Sequence, residues 1–382
     1  MYWEYDGGMI PRYYNNIGQY LGIGKVLVIY GPRRVGKTTL LKQYLSAVDK
    51  KYKLDSGDNI LTRQILGSQN FSNISEYVSG YELIAIDEAQ QIPDIGMGLK
   101  IIIDQIPGIL VIATGSSSFD LANKIGEPLT GRKTTLTLYP IAQMELLNMY
   151  NKFELKEKLD DFLLFGSYPE VVLAKSKEEK IKILNETVAS YLFKDILALE
   201  NIKNPTALIK LLKLLAFQIG KPVSVNELAT QLGLNSRTVE KYLDLLEKTF
   251  VVKAVSGFNK NLRKEISKKN KYYFYDNGIR NAVIGQFNDT ESRNDIGEIW
   301  ENFVIMERIK RNSYKGNYFN HYFWRNYDQK EIDWIEEGDG QIFGYEIKWK
   351  KDDFSIPKDF AGSYPDAQVT VINRDNYLDF VC

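Results

Sequence analysis

The octapeptide Gly31–Thr38, which reads Gly-Pro-Arg-Arg-Val-Gly-Lys-Thr, strongly constrains the fold of this chain. It follows the apolar run Val26–Tyr30 and leads into Thr38–Leu45, where leucines recur at helical spacing. A strand, this loop and a helix in that order match G-x-x-x-x-G-K-[ST], whose backbone N–H groups wrap the phosphates of a nucleotide. The residues expected to bind the nucleotide are Gly31, Pro32, Arg33, Arg34, Val35, Gly36, Lys37, Thr38 and Thr39. The segment therefore predicts an α/β fold with a nucleotide at the edge of a parallel sheet.

Two carboxylates follow the second apolar run, Leu83–Ile86. Charges at the end of a buried strand need a partner, so Asp87 and Glu88 are expected to face a ligand. Beside a phosphate loop, Asp87 and the Thr38 hydroxyl would hold Mg²⁺, and Glu88 would take a proton from the attacking water. Lys37 would reach the outer phosphates. The alternative is a strand end that simply emerges into solvent.

A third apolar run, Ile109–Ala113, leads into the polar segment Thr114–Ser118. A hydroxyl here could orient the attacking water or contact the γ-phosphate. Ser116 and Thr114 are the candidates for this catalytic sensing role. The alternative is a hydroxyl cap on a helix over Phe119–Ile125, and one residue could serve both purposes.

Arg132 lies in the turn-like segment Thr130–Lys133, just before the strand-like run Thr134–Tyr139. A guanidinium delivered to the γ-phosphate from a neighbouring subunit would stabilise the charge of the transition state. This interpretation makes Arg132 a catalytic residue and predicts a homo-oligomer. The alternative is a solvated loop arginine.

Composition limits the other classes of function. The 382 residues suggest two or three domains, and 49 basic residues balance 49 acidic ones, so any surface for nucleic acid must be local. The only cysteine is Cys382 and the only histidine is His321, which argues against disulfides, cysteine zinc sites and serine–histidine triads. The N-terminus lacks the features of a signal peptide, and no apolar run reaches membrane-spanning length. We expect a soluble, cytoplasmic protein without a membrane partner.

Four segments occur in the order typical of AAA-type ATPases, and the chain resembles that group. They are Gly31–Thr38, Ile86–Gln90, Ala113–Ser117 and Leu129–Arg132. More narrowly, the chain is similar to prokaryotic ATPases that join such a module to a C-terminal domain of unknown function. The segments that carry this similarity are Gly166–Glu170, Tyr273–Gly278, Trp300–Asn302 and Glu346–Lys348.

The resemblance implies ATP as the nucleotide, Glu88 as the catalytic base, a sensor near Ser116 and Arg132 as an arginine finger. The chain departs from the family in one place, because Gly166–Pro169 reads Gly-Ser-Tyr-Pro where the family reads Gly-Gly-Tyr-Pro. Residues 151–200 contain no clear arginine for a second sensor, and that role stays open.

A helix-turn-helix is predicted in the middle of the chain. The amphipathic segment Ser224–Leu232 is followed by the turn Gly233–Asn235, and Ser236 can cap a helix over Arg237–Lys248. In this motif the second helix can enter a major groove, with Arg237 and Lys241 facing outward.

A hairpin wing is predicted beyond it, from Val251–Val255 and Lys271–Tyr275. The basic residues of its connection are Lys260, Arg263, Lys264, Lys268, Lys269 and Lys271. Such residues bind phosphate backbones without sequence preference, which makes DNA a predicted partner. The alternative is a module kept for protein packing, with solvated lysines.

The C-terminal region predicts a hairpin around Asp339-Gly340, a strong two-residue turn. In that register Asp333 lies opposite Glu346, on the same face as Glu331 and Lys348. Two facing carboxylates repel unless a cation intervenes, and Mg²⁺ is suitable because it takes oxygen ligands. Lys348 could then polarise a water or a scissile phosphate.

This Asp…Glu-x-Lys pattern resembles the core of the PD-(D/E)xK nuclease superfamily. The resemblance implies a further acid from the helix that carries Glu298 and Glu301, and the nuclease-like set is then Glu301, Asp333, Glu346 and Lys348. The alternative is an amphipathic hairpin whose charged face is wet.

These observations predict four segments. They are a P-loop AAA-type ATPase over 1–140, a helical lid over 141–205, a winged helix over 206–275 and a restriction-endonuclease-like α/β domain over 276–382. The leading hypothesis is a Mg²⁺-dependent ATPase that couples ATP hydrolysis to nucleic-acid binding or remodelling. The alternatives are a nucleotide-dependent switch that binds protein partners and a Mg²⁺-dependent nuclease regulated by ATP.

Overall fold

The computed structural model describes residues 4–5, 8–115, 128–190, 202, 204–258, 269–350 and 354–382. Ser116 lies outside these residues, as do Lys260, Arg263, Lys264 and Lys268 of the predicted basic connection. The chain divides into two compact units, Met1–Pro140 with Lys248–Phe250 and Ile141–Glu247 with Val251–Cys382.

The first unit alternates strands and helices. Its strands are β1 (Glu4–Tyr5), β2 (Gly8–Met9), β3 (Val26–Tyr30), β4 (Tyr52–Ser56), β5 (Leu83–Asp87), β6 (Leu110–Gly115) and β7 (Lys133–Thr137). Its helices are α1 (Lys37–Ala47), α2 (Ile60–Gly67), α3 (Phe71–Val78) and α4 (Ile95–Gln105), with short 3₁₀ turns at Ile17–Tyr20 and Ala89–Gln91. β1 and β2 pair with each other in an antiparallel ribbon.

The remaining described strands of this unit form a five-stranded parallel sheet in the order β4-β5-β6-β3-β7. Every residue of Val26–Tyr30 is buried, as are Leu83–Ile86, which is expected for strands covered on both faces. The predicted α/β fold with a parallel sheet is therefore confirmed. The order places β6 between β3 and β5, so the carboxyl ends of these three strands meet at one edge.

The second unit is mixed α/β. Its helices are α5 (Gln143–Leu146), α6 (Lys152–Glu157), α7 (Leu159–Phe165), α8 (Pro169–Leu173), α9 (Lys177–Thr187), α10 (Pro205–Phe217), α11 (Val225–Leu232), α12 (Ser236–Lys248), α13 (Asn277–Ile284), α14 (Ile296–Lys315), α15 (Lys358–Ser363) and α16 (Tyr377–Val381). Its strands are β8 (Pro222–Val223), β9 (Val252–Gly257), β10 (Asn270–Phe274), β11 (Asn320–Arg325), β12 (Glu331–Gly338), β13 (Gln341–Ile347) and β14 (Gln368–Ile372). A 3₁₀ turn covers Thr290–Ser292.

The strands of the second unit form one seven-stranded sheet in the order β14-β13-β12-β11-β9-β10-β8, within the residues described. The parallel pairing of β11 with β9, at Tyr322 opposite Ser256, joins the two halves of this sheet. The predicted division after residue 275 therefore separates β10 from strands of its own sheet. Local sequence patterns show hairpins but not the pairing of strands that are far apart in the chain.

No helix in the described ranges is both long enough and apolar enough to cross a membrane.

Candidate nucleotide site and C-terminal acidic cluster

The phosphate loop has a backbone that strongly favours glycine at two positions. Gly31 has φ +150°, and a Cβ built on it would lie 2.0 Å from the backbone oxygen of Leu138. Gly36 has φ +95° and is the residue before α1, whose first amides have no acceptor within the helix. The loop therefore ends at a helix N-terminus, which is a suitable place for an anion.

The other predicted nucleotide-binding residues of this loop differ in their exposure to solvent. Pro32 and Val35 are buried, Arg33, Thr38 and Thr39 are partly exposed, and Arg34 is exposed with φ +62°. Arg12 supports the loop from outside, because its guanidinium donates hydrogen bonds to Val35 O at 2.5 Å and to Tyr139 O at 2.6 Å. The local sequence pattern does not indicate Arg12, because nothing in it connects this residue with the loop.

Lys37 is buried with only 5% of its surface exposed. Its Nζ donates hydrogen bonds to the carbonyl oxygens of Gly31 at 2.8 Å and Pro32 at 2.7 Å. Burial lowers the pKa of Lys37 to about 8, although Glu88 and Asp87 act in the opposite direction. The ammonium is therefore held inside the curve of the loop, close to two acids.

Asp87 connects three neighbouring elements of the sheet edge. Thr38, in the first turn of α1, donates a hydrogen bond from Oγ1 to Asp87 Oδ2 at 2.7 Å. Thr114, at the end of β6 and fully buried, donates from Oγ1 to Asp87 Oδ1. Of the two hydroxyl candidates for the sensing role, Thr114 thus contacts the predicted Mg²⁺ acid, while Ser116 lies outside the described residues.

Glu88 has a left-handed backbone with φ +49°, which is uncommon for a non-glycine residue and is often found at functional sites. The backbone oxygen of Glu88 leaves no room for a side chain at Gly57, where a Cβ would lie 2.2 Å away. Gln90 donates a hydrogen bond from Nε2 to Glu88 Oε2. Gln90 is a further site residue that the sequence analysis had not assigned a role.

Arg132 forms an ion pair with Asp104 of its own chain, through Nη1 and Oδ1. Its side chain is 47% exposed, so the guanidinium lies at the surface of the first unit. The geometry shows a surface arginine with an acidic partner, and its predicted role towards a neighbouring subunit stays a prediction.

The predicted helix-turn-helix segments are helical in the second unit. Gly233, with φ +64°, separates α11 from α12. The cap of α12 differs from the prediction, because Asn235 Oδ1 accepts from Thr238 N at 2.8 Å while Ser236 Oγ donates to Asn226. An amide side chain one residue earlier has the reach to satisfy the same free N–H group.

The basic residues of this region differ in exposure. Arg237, Lys241 and Lys269 are exposed. Strands β9 and β10 pair in antiparallel fashion, with Lys271 opposite Val255. Lys271, which the sequence analysis counted with the basic connection, is buried, because its side chain points to acids of the second unit.

The C-terminal hairpin has the predicted register, with Gly338 opposite Gln341 around the turn Asp339-Gly340. Asp333 Oδ2 accepts a hydrogen bond from Ile347 N at 2.8 Å. Glu346 is 5% exposed, and its Oε1 lies 2.6 Å from Lys348 Nζ. The alternative of a wet charged face is therefore wrong for Glu346, because the sheet is covered on this side as well.

Four carboxylates, which we call the acidic cluster, gather here: Glu301, Glu331, Asp333 and Glu346. Lys271 Nζ lies 3.1 Å from Glu301 Oε1 and also contacts Glu331 Oε1. The Tyr273 hydroxyl donates to Glu301 Oε1 at 2.6 Å. Glu298 lies on the same helix as Glu301, but it pairs with Lys221 at 3.4 Å. The structure thus brings Glu301 together with the predicted hairpin acids and adds Lys271, which the nuclease pattern did not include.

Burial raises the pKa values of three acids of the cluster, Glu301, Asp333 and Glu346. The pKa of Glu301 is raised to about 7, with Lys271 opposing the effect of burial. The pKa of Asp333 is also raised to about 7, by burial and then by the neighbouring charge of Glu346. Burial raises the pKa of Glu346 too, and its hydrogen bond with Lys348 opposes this. A charged carboxylate makes ionisation of a neighbouring carboxylate less favourable, which raises the pKa of that neighbour.

Mg²⁺ fits the two predicted sites unequally. Thr38 and Asp87 offer oxygen atoms beside a phosphate loop, which is how this ion is usually held together with a nucleotide. In the C-terminal region two of the four acids, Glu301 and Glu331, contact the ammonium of Lys271. In the described part of the chain, no group of three or more His, Cys, Asp and Glu side chains could hold a metal ion. The predicted metal role of Asp333 and Glu346 stays a prediction.

Comparison with protein families matches three successive parts of the chain. Residues 24–147 match the model of a family described as "AAA domain". Residues 156–290 match a domain of unknown function, DUF8612, and residues 296–376 match another, DUF4143. The first match agrees with the phosphate loop and the parallel sheet, so this part of the chain has an AAA-type P-loop ATPase fold.

The chain is similar to curated proteins that are themselves described as uncharacterized. One from Mycobacterium tuberculosis is 28% identical over 330 residues, which cover 85% of this chain and 70% of that protein. One from Haemophilus influenzae is 26% identical over 378 residues, which cover 92% of this chain and 88% of that protein. A solved Walker-type ATPase of Pyrococcus abyssi overlaps 68% of this chain and 91% of its own, with 15% identity and a TM-score of 0.46. We draw no functional conclusion from this structural overlap.

Proposed function

We propose that the first unit binds ATP together with Mg²⁺ and hydrolyses it. The observation that carries this proposal is the convergence of Thr38 and Thr114 on Asp87, beside the buried Lys37. Hydroxyl, carboxylate and ammonium groups meet at the end of a phosphate loop. This is the combination that phosphoryl transfer needs, because its catalysis is mostly positioning and charge stabilisation.

Each residue has a distinct part in this proposal. The backbone N–H groups of the loop from Arg33 to Thr39 and the ammonium of Lys37 bind the phosphates. Thr38 and Asp87 would hold Mg²⁺, which neutralises phosphate charge when it is bound. Glu88 accepts the proton of the attacking water, and Gln90 holds the Glu88 carboxylate in position.

Arg132 supplies positive charge to the γ-phosphate of a neighbouring copy, so the proposal includes a homo-oligomer. For that role Arg132 has to leave Asp104, an exchange that its surface position allows.

Nucleotide binding and turnover test the proposal. Lys37→Ala is expected to lose binding of a fluorescent ATP analogue, because it removes the buried ammonium from the loop. Lys42→Ala is the matched control, since Lys42 lies on the same helix α1 but is exposed. Equal binding by wild type and Lys37→Ala would contradict the proposal.

We further propose that ATP hydrolysis is coupled to nucleic acid through the second unit. The supporting observation is the pair of helices α11 and α12, with exposed basic residues at Arg237 and Lys241 and a third at Lys269. A helix pair of this kind can present its second helix to a major groove, and lysines add phosphate contacts.

The coupling is tested by ATP turnover with and without single- and double-stranded DNA, read alongside strand integrity. Stimulation that weakens with salt and is lost in Arg237→Ala is expected. Lys210→Ala is the control, because this exposed lysine lies on α10, outside the helix pair. Turnover indifferent to DNA, together with a co-purifying protein, would favour a protein-interaction switch instead. Mg²⁺-dependent cleavage that is lost in Glu346→Ala or Lys348→Ala would establish a nuclease.

A further inference from the structure

We propose that Lys271 is a built-in counter-cation of the acidic cluster, and that its ammonium supplies the positive charge that the nuclease-like pattern would take from a divalent metal. This makes the C-terminal cluster a metal-independent arrangement in the native chain. The proposal concerns the second unit alone and does not depend on ATP hydrolysis.

Lys271 lies between three elements of the second unit. It comes from β10, whereas its two carboxylate partners come from α14 and the start of β12. Only 1% of its side chain is exposed, and its ammonium contacts Glu301 and Glu331 at the same time. The two carboxylates, which come from different elements, stabilise this buried ammonium. An unpaired charge at this position would be strongly destabilising.

Most of the carboxylate oxygens of Glu301 and Glu331 already have partners. Glu301 Oε1 accepts from both Lys271 and Tyr273. Glu331 contacts Lys271 through Oε1 and lies 3.5 Å from Arg325 Nη1 through Oε2. Three of the four carboxylate oxygens of Glu301 and Glu331 therefore already contact nitrogen or hydroxyl donors.

The hairpin acids Asp333 and Glu346 also have partners. Asp333 Oδ2 is bound to the amide of Ile347, and Glu346 Oε1 is bound to Lys348. Glu346 Oε2 is buried and has no hydrogen-bond partner in the described parts of the chain. Mg²⁺ usually keeps several waters beside its carboxylate ligands, and this buried oxygen has no access to solvent.

The charge state of Lys271 supports the same conclusion. Burial by itself would lower the pKa of Lys271, but the carboxylates of Glu301, Glu331 and Asp333 outweigh burial and raise it above the usual value. The ammonium therefore stays protonated, and it repels any divalent ion that approaches the same carboxylates.

The test counts Mn²⁺ ions bound to the full chain without nucleotide, by electron paramagnetic resonance. Mn²⁺ is the probe because it prefers the same oxygen ligands as Mg²⁺. Wild type, Asp333→Asn and Glu346→Gln are expected to bind the same number of ions, since the first unit is unchanged in all three. A Mn²⁺ ion that is bound by wild type and lost in either variant would overturn the proposal.

A second variant tests the role of Lys271 directly. Lys271→Met keeps most of the length of the side chain but removes its charge, so the cluster is expected to gain one Mn²⁺ per chain. That ion should be lost again in the double variant Lys271→Met, Glu301→Gln. Lys253→Met is the control, because Lys253 on the neighbouring strand β9 pairs with Glu247 at 2.7 Å, outside the acidic cluster.

A folded Lys271→Met protein, judged by circular dichroism, that gains no Mn²⁺ would overturn the proposal. If this variant does not fold, the comparison of wild type with Asp333→Asn and Glu346→Gln decides the question by itself.

Discussion

Thr114 donates a hydrogen bond to Asp87, and both side chains lie at the carboxyl ends of adjacent parallel strands. The second oxygen of Asp87 accepts from Thr38, so two hydroxyls fix the orientation of one carboxylate. A carboxylate oriented in advance loses little freedom on binding, so this arrangement would favour turnover if Asp87 has the proposed role towards Mg²⁺.

Thr114→Val is therefore expected to lower ATP turnover by about tenfold to a hundredfold, because a hydrogen bond to a charged group contributes about 1.5–3 kcal/mol. Steady-state phosphate release measures this effect. Thr114→Ser keeps the hydroxyl and should stay close to wild type. Equal rates for Thr114→Val and wild type would show that this contact has no part in catalysis.

Local signals allowed much of the geometry of the candidate nucleotide site to be predicted. The strand Val26–Tyr30, the helix after the loop and the acids Asp87 and Glu88 are all contiguous patterns, and the structure places them at one sheet edge. The turn Asp339-Gly340 likewise determined the register of its hairpin, because a two-residue turn allows only one pairing.

Contacts between distant parts of the chain could not be predicted in this way. The sequence pattern groups Lys271 with the basic residues of the connection before it. Its partners Glu301 and Glu331 are 30 and 60 positions later, and only the tertiary fold brings them to its ammonium. Arg12 is a similar case, since its acceptor Val35 lies 23 positions away.

Gly31 provides a test of the loop geometry through stability. Gly31→Ala is expected to lower the free energy of unfolding by about 3 kcal/mol, the upper part of the range for overpacking, because its Cβ would meet the backbone oxygen of Leu138 at 2.0 Å. Denaturant unfolding measures the change.

Gly108→Ala is the matched control, since Gly108 also has positive φ, at +81°, but has nothing within 4 Å of its Cβ position. Its expected loss is about 1 kcal/mol, from the left-handed backbone alone. Equal losses for the two variants would contradict the close approach of Gly31 to Leu138.

His321 predicts a pH dependence of stability. Its ring stacks on Trp334 with centroids 4.8 Å apart, and burial lowers its pKa from 6.5 to about 4, with Glu336 opposing. The unfolded chain therefore takes up a proton at higher pH than the folded protein. Stability from this group is complete above pH 6.5 and is lost as the pH falls towards 4.

The expected loss is about 3 kcal/mol near pH 4, since one pKa unit corresponds to about 1.4 kcal/mol. Unfolding curves of wild type and His321→Phe across this pH range measure the difference, because His321 is the only histidine and Phe keeps the stack on Trp334. Parallel pH profiles for the two proteins would show that the folded environment does not disfavour the charged ring.

Arg132 is expected to act on a neighbouring copy. Arg132→Ala should keep nucleotide binding but lower turnover by at least about tenfold, because an arginine finger acts on the transition state. Mixing Arg132→Ala with Lys37→Ala should restore part of the turnover, since one copy then supplies the intact loop and the other supplies the arginine.

Asp104→Asn is the companion variant, because it removes the acidic partner of Arg132 without touching the loop. It should not reduce turnover. If Arg132→Ala turns over ATP as fast as wild type, or if the mixture shows no recovery, the proposed action on a neighbour is wrong.

Phosphate release under multiple-turnover conditions with ATP and Mg²⁺ tests the central claim most directly. Three proteins are compared: wild type, Lys37→Ala and Glu88→Gln. We predict steady release by wild type, none above background for Lys37→Ala, and none for Glu88→Gln although that variant still binds a fluorescent ATP analogue. Release by wild type that does not exceed that of Lys37→Ala would contradict ATP hydrolysis by this chain.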